Sequence, residues 1–233
     1  MLSGPGEEAL AGAFRISSVE KVRKQRGRYF IYREGQEEPV LSVHEDMLIR
    51  FRLLKDAWVT EEDLRLIETE DGRHRAYSQA IAYLGAKPRT RKEIERYLAR
   101  KELDEETIRE TADRLESERL IDDADYAKIF TSQRAGSHAK GRMLIRQELI
   151  QRGIGKSEAA EAIEAIDPDM EREAAIKAAV KRWPSLKGEL RERRRKLAQF
   201  LTRRGYPSGV VREALKTVAT SQEDNDGLDW LDN

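Results

Sequence analysis

Arginine and lysine in dense, uneven runs are the side chains of this sequence best suited to chemistry, and what they offer is attraction for anions. Residues 132–156 hold six bases against one acid, and residues 171–205 hold twelve against four. The first run places Arg134, His138, Lys140, Arg142 and Arg146 around a loop that contains Gly141. The second contains Lys181, Arg182, Lys187, Arg191, Arg193, Arg194, Arg195 and Lys196. Carboxylates collect elsewhere: residues 104–126 hold ten acids and three bases, and residues 220–233 five acids and no base. The formal net charge of zero, 44 bases against 44 acids, conceals this sorting. A basic face is the footprint of a nucleic-acid or acidic-protein partner, and helix surface solvated by its own cations is the plain alternative.

Other reactive groups suggest structure. Asp122-Asp123 precedes a helical stretch, where carboxylates cap free N–H groups and favour the positive dipole end; a metal site is the minor alternative. Tyr126 sits at the apolar spacing of a helix, a core position in preference to a base-stacking one. Gly153 and Gly205 read as backbone devices. His44, His74 and His138 are scattered without a zinc-type pair spacing, no Ser/His/Asp arrangement stands out, and cysteine is absent. The expectation is a protein that is not an enzyme, with no cofactor and no metal.

Charged residues make up 38% and aromatics 6% of the 233 residues. Helices with narrow apolar stripes suit that composition better than a β-sandwich or a large enzyme with a deep pocket. The first residues are acidic where a signal peptide needs bases, and the longest charge-free stretch, 76–86, is too short to span a bilayer. With no cysteine to staple, a cytoplasmic, untargeted monomer without membrane contact is expected.

After an unstructured start (1–13), residues 14–72 carry β-like segments at 15–22, 28–33 and 39–43. These predict a three-stranded antiparallel sheet followed by helices, with capping boxes at Ser42/Glu45 and Thr60/Asp63 and a boundary at Asp71-Gly72. Everything beyond is helical in pattern and repeats. From the anchors Leu98, Leu149 and Leu201, the position five residues on is Leu103, Ile154 or Tyr206; ten on, Ile108, Ala159 or Val211; fourteen on, Ala112, Ile163 or Leu215; seventeen on, Leu115, Ile166 or Val218. An upstream helix precedes each copy. The reading is a mainly α chain: a tandem array of three three-helix, helix-turn-helix-like repeats at 73–121, 122–168 and 169–219, elongated and curved, with a small N-terminal α+β module and an acidic unstructured tail over 220–233.

Two motifs sharpen this. Leu120-Ile121-Asp122-Asp123-Ala124-Asp125-Tyr126-Ala127 and Gly141-Arg142-Met143-Leu144-Ile145-Arg146-Gln147-Glu148-Leu149-Ile150-Gln151-Arg152-Gly153-Ile154, taken with the triple repeat, closely resemble the RecX family of bacterial regulatory proteins. The resemblance spans residues 74–218, and the module at 14–72 looks like the extension some members carry. It implies a negative regulator of the RecA recombinase in DNA repair, recombination and the SOS response. Such a protein binds the RecA–single-stranded DNA filament in its groove and inhibits filament extension, strand exchange, ATPase and coprotease activities, with only weak nonspecific duplex binding. One departure stands out: Glu102 holds the position of Gly153 and Gly205, which predicts a looser first turn. The competing readings are a free-standing DNA-binding regulator that uses its helix-turn-helix-like units in a major groove, and a scaffold whose repeats bind some other protein.

Overall fold

The computed structural model describes residues 12–136 and 139–228, with side chains described to residue 219. The expectations placed on residues 1–11, on His138 and on the end of the tail, 229–233, fall outside those residues. Two compact units emerge, Met1–Ala86 with Tyr97–Asp113 and Lys87–Arg96 with Arg114–Asn233.

In the first unit, β1 (Phe14–Lys21), β2 (Arg28–Arg33) and β3 (Leu41–His44) form the expected antiparallel sheet, and a fourth strand, β4 (Trp58–Val59), corrects the count. The order is β3-β2-β1-β4. Two residues carry no readable alternation. β4 is held in place by Phe14 opposite Val59 and by Ile16 and Asp56–Ala57 exchanging backbone hydrogen bonds at 2.9 Å. Alternate residues Phe14, Ile16, Ile31, Leu41 and Val43 point to one face and form a core with Met47, Leu53 and Ile67.

The capping expectations divide. Thr60 starts α2 (Glu61–Leu84) with a full capping box: Asp63 N–H donates to Thr60 Oγ1 at 3.1 Å and Thr60 N–H to Asp63 Oδ2 at 3.0 Å. The Ser42 box does not form, because Ser42 stays in β3 opposite Phe30 and α1 (Glu45–Phe51) is capped by His44. Nor does Asp71-Gly72 break the chain, since α2 runs through it. The Asp71 carboxylate, only 6% exposed, accepts the His44 N–H at 2.7 Å and an Arg28 guanidinium N–H at 2.9 Å, so it is not free to cap a turn. Burial of Ile67, Ala76 and Ala80 on the same helix offsets the roughly 1 kcal/mol that a mid-helix Gly costs.

The rest is helical: α3 (Arg91–Ala99), α4 (Glu105–Ser117), α5 (Asp123–Gly136), α6 (Arg142–Gln151), α7 (Lys156–Glu164), α8 (Pro168–Arg182), α9 (Leu190–Arg203) and α10 (Ser208–Leu228). All three anchor leucines are fully buried, as are Ala112, Ala159 and Leu115 at repeat positions, while Leu103 and Leu215 are half-buried. The second repeat centres on Ala127, Phe130, Ile145, Leu149 and Ile163, and the third on Ala175, Trp183, Leu197, Leu201 and Tyr206. α10 carries the backbone helix on to Leu228, into the stretch expected to be an unstructured tail; once nucleated, a helix extends at little cost.

The turn between the second and third helix of each repeat is left-handed. Gly153 has φ +95° and Gly205 φ +84°. Glu102 adopts φ 60° all the same, with its N–H on the Ala99 carbonyl at 3.0 Å, so the first turn keeps its shape and bears the cost of a β-carbon in αL geometry.

Candidate functional site

One arrangement recurs along the chain. In α5 the carboxylate of Asp123 accepts the backbone N–H of Arg91, the first residue of α3, at 2.9 Å. In α8 the carboxylate of Glu171, 4% exposed, accepts the N–H of Arg142, the first residue of α6, at 2.8 Å and its Nε–H at 2.7 Å. Asp71 does the same for His44 and Arg28 in the N-terminal module. Each carboxylate stands four or five residues ahead of a buried small pair on its helix: Ala76 and Ala80, Ala127 and Thr131, Ala175 and Ala179. Asp122 caps α5 through the Asp125 N–H at 2.8 Å, whereas Asp123 caps the preceding repeat. Burial, its largest influence, raises the Asp123 pKa above the ordinary carboxylate value, against the pull of the Arg91 N–H.

The glycine turns complete these joints. Thr90, fully buried, donates its hydroxyl to the Arg152 carbonyl at 2.6 Å, and a β-carbon on Gly153 would strike the Lys92 side chain. One repeat later, Gly141 N–H donates to the Arg204 carbonyl at 2.8 Å and Met143 N–H to the Gly205 carbonyl at 3.0 Å, and a β-carbon on Gly205 would strike the Leu144 backbone. The Tyr206 hydroxyl donates to the Ala139 carbonyl at 2.7 Å, and burial pushes its pKa up to about 12. These glycines therefore serve close approach between repeats as well as left-handed backbone.

The candidate cations separate into two groups. Arg134 lies 4.8 Å from the centre of the Phe130 ring and 3.4 Å from Glu148; Lys140 pairs with Glu148, Arg142 with Glu171. Arg193 lies over the buried Trp183 ring at 4.2 Å, and Lys196 binds Glu192 at 2.8 Å and the Lys187 carbonyl at 3.0 Å. These hold the architecture together. Arg146, Lys181, Lys187, Arg191, Arg194 and Arg195 are exposed, and none of their side chains is in an ion pair among the described residues. Arg182 is exposed as well, 5.5 Å from the Phe200 ring. Tyr126 is half-buried, stacked on Phe130 with centroids 5.9 Å apart.

The two basic runs meet. A groove of about 1100 Å³ is lined by Lys128, Lys140, Lys177, Lys181, Arg182 and Arg204, together with several alanines and Met170. Asp167, Glu171 and Glu173 also line it, and Glu171 is bound to Arg142.

Sequence reasoning missed Asp71, Thr90 and Glu171, which are polar residues at buried joints; the signal for the carboxylates is an acid four or five residues ahead of a small-residue pair on each first helix. It also set His44 and His74 apart. The fold brings both onto Asp46, whose Oδ2 lies 3.2 Å from His44 Nδ1 and 2.9 Å from His74 Nε2.

Three family models match in series: the RecX first three-helix domain at residues 76–115, the second at 122–163 and the third at 169–215. This chain belongs to the RecX family. It is similar to the Regulatory protein RecX of Limosilactobacillus reuteri, 33% identical over 90% of this chain and 78% of that protein. The Regulatory protein RecX of Oceanobacillus iheyensis is 31% identical over the same shares. Among solved structures, a regulatory protein RecX superposes with TM-score 0.67 at 34% identity over 85% of this chain and 97% of that one. RecX from Lactobacillus salivarius gives 0.59 at 25% identity over 65% and 99%. A RecX-type regulatory role and a mainly helical fold of three three-helix domains behind a strand-containing module follow. No helix among the described residues is long and apolar enough to cross a membrane.

Proposed function

We propose that this RecX-family chain is a non-enzymatic negative regulator of the RecA recombinase that binds RecA–single-stranded DNA filaments in their groove and inhibits filament extension, strand exchange, ATPase and coprotease activities. The observation that carries the reading is a groove lined by Lys140 of the first basic run with Lys177, Lys181, Arg182 and Arg204 of the second, together with exposed arginines in both runs that make no salt bridge among the described residues. A filament repeats its phosphates and acidic protein surface along its length, and a chain of similar units can contact several subunits together, so that modest contacts add up to useful avidity. Arg146, Lys181, Arg182, Lys187, Arg191, Arg194 and Arg195 are the contact candidates. Arg134, Lys140, Arg142, Arg193 and Lys196 shape the surface they stand on.

The major-groove alternative is less well supported. In a helix-turn-helix the helix after the turn enters the groove, and here that helix in the second repeat, α7, carries Glu158, Glu161 and Glu164 against Lys156. In α4 the acids Glu105, Glu106, Glu110, Asp113 and Glu116 face only Arg109 and Arg114. Such helices repel phosphate.

The test is a titration of the full chain into RecA on single-stranded DNA with ATP. Suppression of ATP hydrolysis and strand exchange is expected; unchanged rates at an equimolar ratio to RecA reject the reading. Suppression well below that ratio indicates capping of the growing end, and a near-equimolar requirement indicates occupancy of the groove.

A further inference from the structure

His44, Asp46 and His74 are thirty residues apart in sequence at their extremes, yet their donor atoms lie within 4.8 Å of one another, the one grouping of this kind among the described residues. Three elements bring them together: the end of β3, the first turn of α1 and the middle of α2. Asp71, one turn before His74 on α2, holds the His44 backbone N–H at 2.7 Å, so a single helix fixes both imidazoles. The rings lie 4.4 Å apart, tilted by 32°.

Two acceptors compete at His44 Nδ1. The Asp46 N–H donates to His44 Nδ1 at 3.3 Å, which requires that nitrogen to carry a lone pair, and the Asp46 carboxylate oxygen, also an acceptor, stands 3.2 Å from the same atom. Two lone pairs facing each other repel unless a proton or a metal ion lies between them. A proton on that nitrogen or a metal ion relieves the repulsion, and His74 Nε2, 2.9 Å from the same carboxylate oxygen, lets one metal ion engage all three side chains. Two imidazoles and one carboxylate are a ligand set for borderline divalent metals. With bonds of 2.0–2.2 Å, tetrahedral ligands sit about 3.3 Å apart, against 3.2 Å between Asp46 and His44 and 2.9 Å between Asp46 and His74. The half-exposed Asp46 leaves the fourth position to water.

We infer that His44, Asp46 and His74 bind a divalent transition-metal ion, zinc by preference, which clamps α1 and the end of β3 to α2. The site shares no residue with the basic groove and does not depend on the function proposed above.

Untagged full chain, stripped with EDTA, is titrated with zinc chloride by calorimetry, with magnesium chloride as the control. One zinc per chain is expected, a rise in melting temperature with zinc and none with magnesium, and a loss of affinity of roughly tenfold or more in His74→Gln. The exposed Asp46→Asn carries the same test without disturbing packing at His74, and His138→Gln should bind as the parent does. Absence of zinc binding, or binding that both His74→Gln and Asp46→Asn retain in full, overturns the site and leaves imidazole N–H groups donating to Asp46 as the account of the cluster.

Discussion

The backbone N–H and the guanidinium Nε of Arg142 both donate to the carboxylate of Glu171, at 2.8 and 2.7 Å, across the joint between the second and third repeats. Asp123 and Asp71 hold the two earlier joints in the same manner. A buried carboxylate that accepts a helix-start N–H satisfies a donor the helix cannot satisfy itself and gains from the positive end of the dipole. The repeats are thus fastened by capping from outside.

Removing one fastener exposes its value. Glu171→Ala should cost about 2 kcal/mol or more, because it strands an N–H and a partly buried guanidinium. Glu171→Gln keeps an acceptor for the N–H and should cost less. Denaturant titration of both variants against the parent checks the order, and equal loss would show that charge alone matters.

Asp123 gives a dependence on pH with a definite sign. Burial raises its pKa in the fold, so the folded chain holds the proton more readily than the unfolded one. Its contribution is therefore present below the ordinary carboxylate pKa and fades as pH rises through the raised value. Asp123→Asn, which keeps an oxygen for the Arg91 N–H, should gain on the parent in melting temperature as pH rises from 3 to 6. A parallel course of the two curves would refute this.

The periodic part of the fold was legible in the sequence and the joints were not. Leu98, Leu149 and Leu201 announced themselves because a helix that buries one face must place apolar side chains at a fixed spacing. β4 is too short to alternate, and Gly72 reads as a break only to an eye that cannot see Ile67 and Ala76 buried on either side. The candidate cations were legible as charge and illegible as geometry: Arg193 and Arg194 are neighbours in sequence, yet one lies on Trp183 and the other faces solvent. His44 and His74 meet only because Asp71 ties β3 to α2.

The left-handed turns make opposite predictions at equivalent positions. Gly205→Ala places a β-carbon in αL geometry against the Leu144 backbone and should cost more than about 2 kcal/mol. Glu102→Gly relieves the φ of 60° at the price of a more flexible unfolded chain, for a net gain between zero and about 1 kcal/mol. Thermal melts of the two variants test both signs.

The arginines of α9 separate binding from stability. Replacing Arg191, Arg194 and Arg195 together with glutamine removes three exposed charges that make no salt bridge among the described residues, so melting should stay within about 0.5 kcal/mol of the parent. If all three meet phosphates of a single strand, the log–log salt slope for binding RecA–single-stranded DNA filaments should flatten by about 2, from roughly 0.7 per contact. Arg193→Gln, which takes a guanidinium off the Trp183 ring, should instead cost about 1 kcal/mol in stability. Filament co-sedimentation across a salt series, run beside melts of both variants, decides the matter: an unchanged slope in the triple variant would move the contact surface away from α9, toward Arg146 and the groove rim at Lys181 and Arg182.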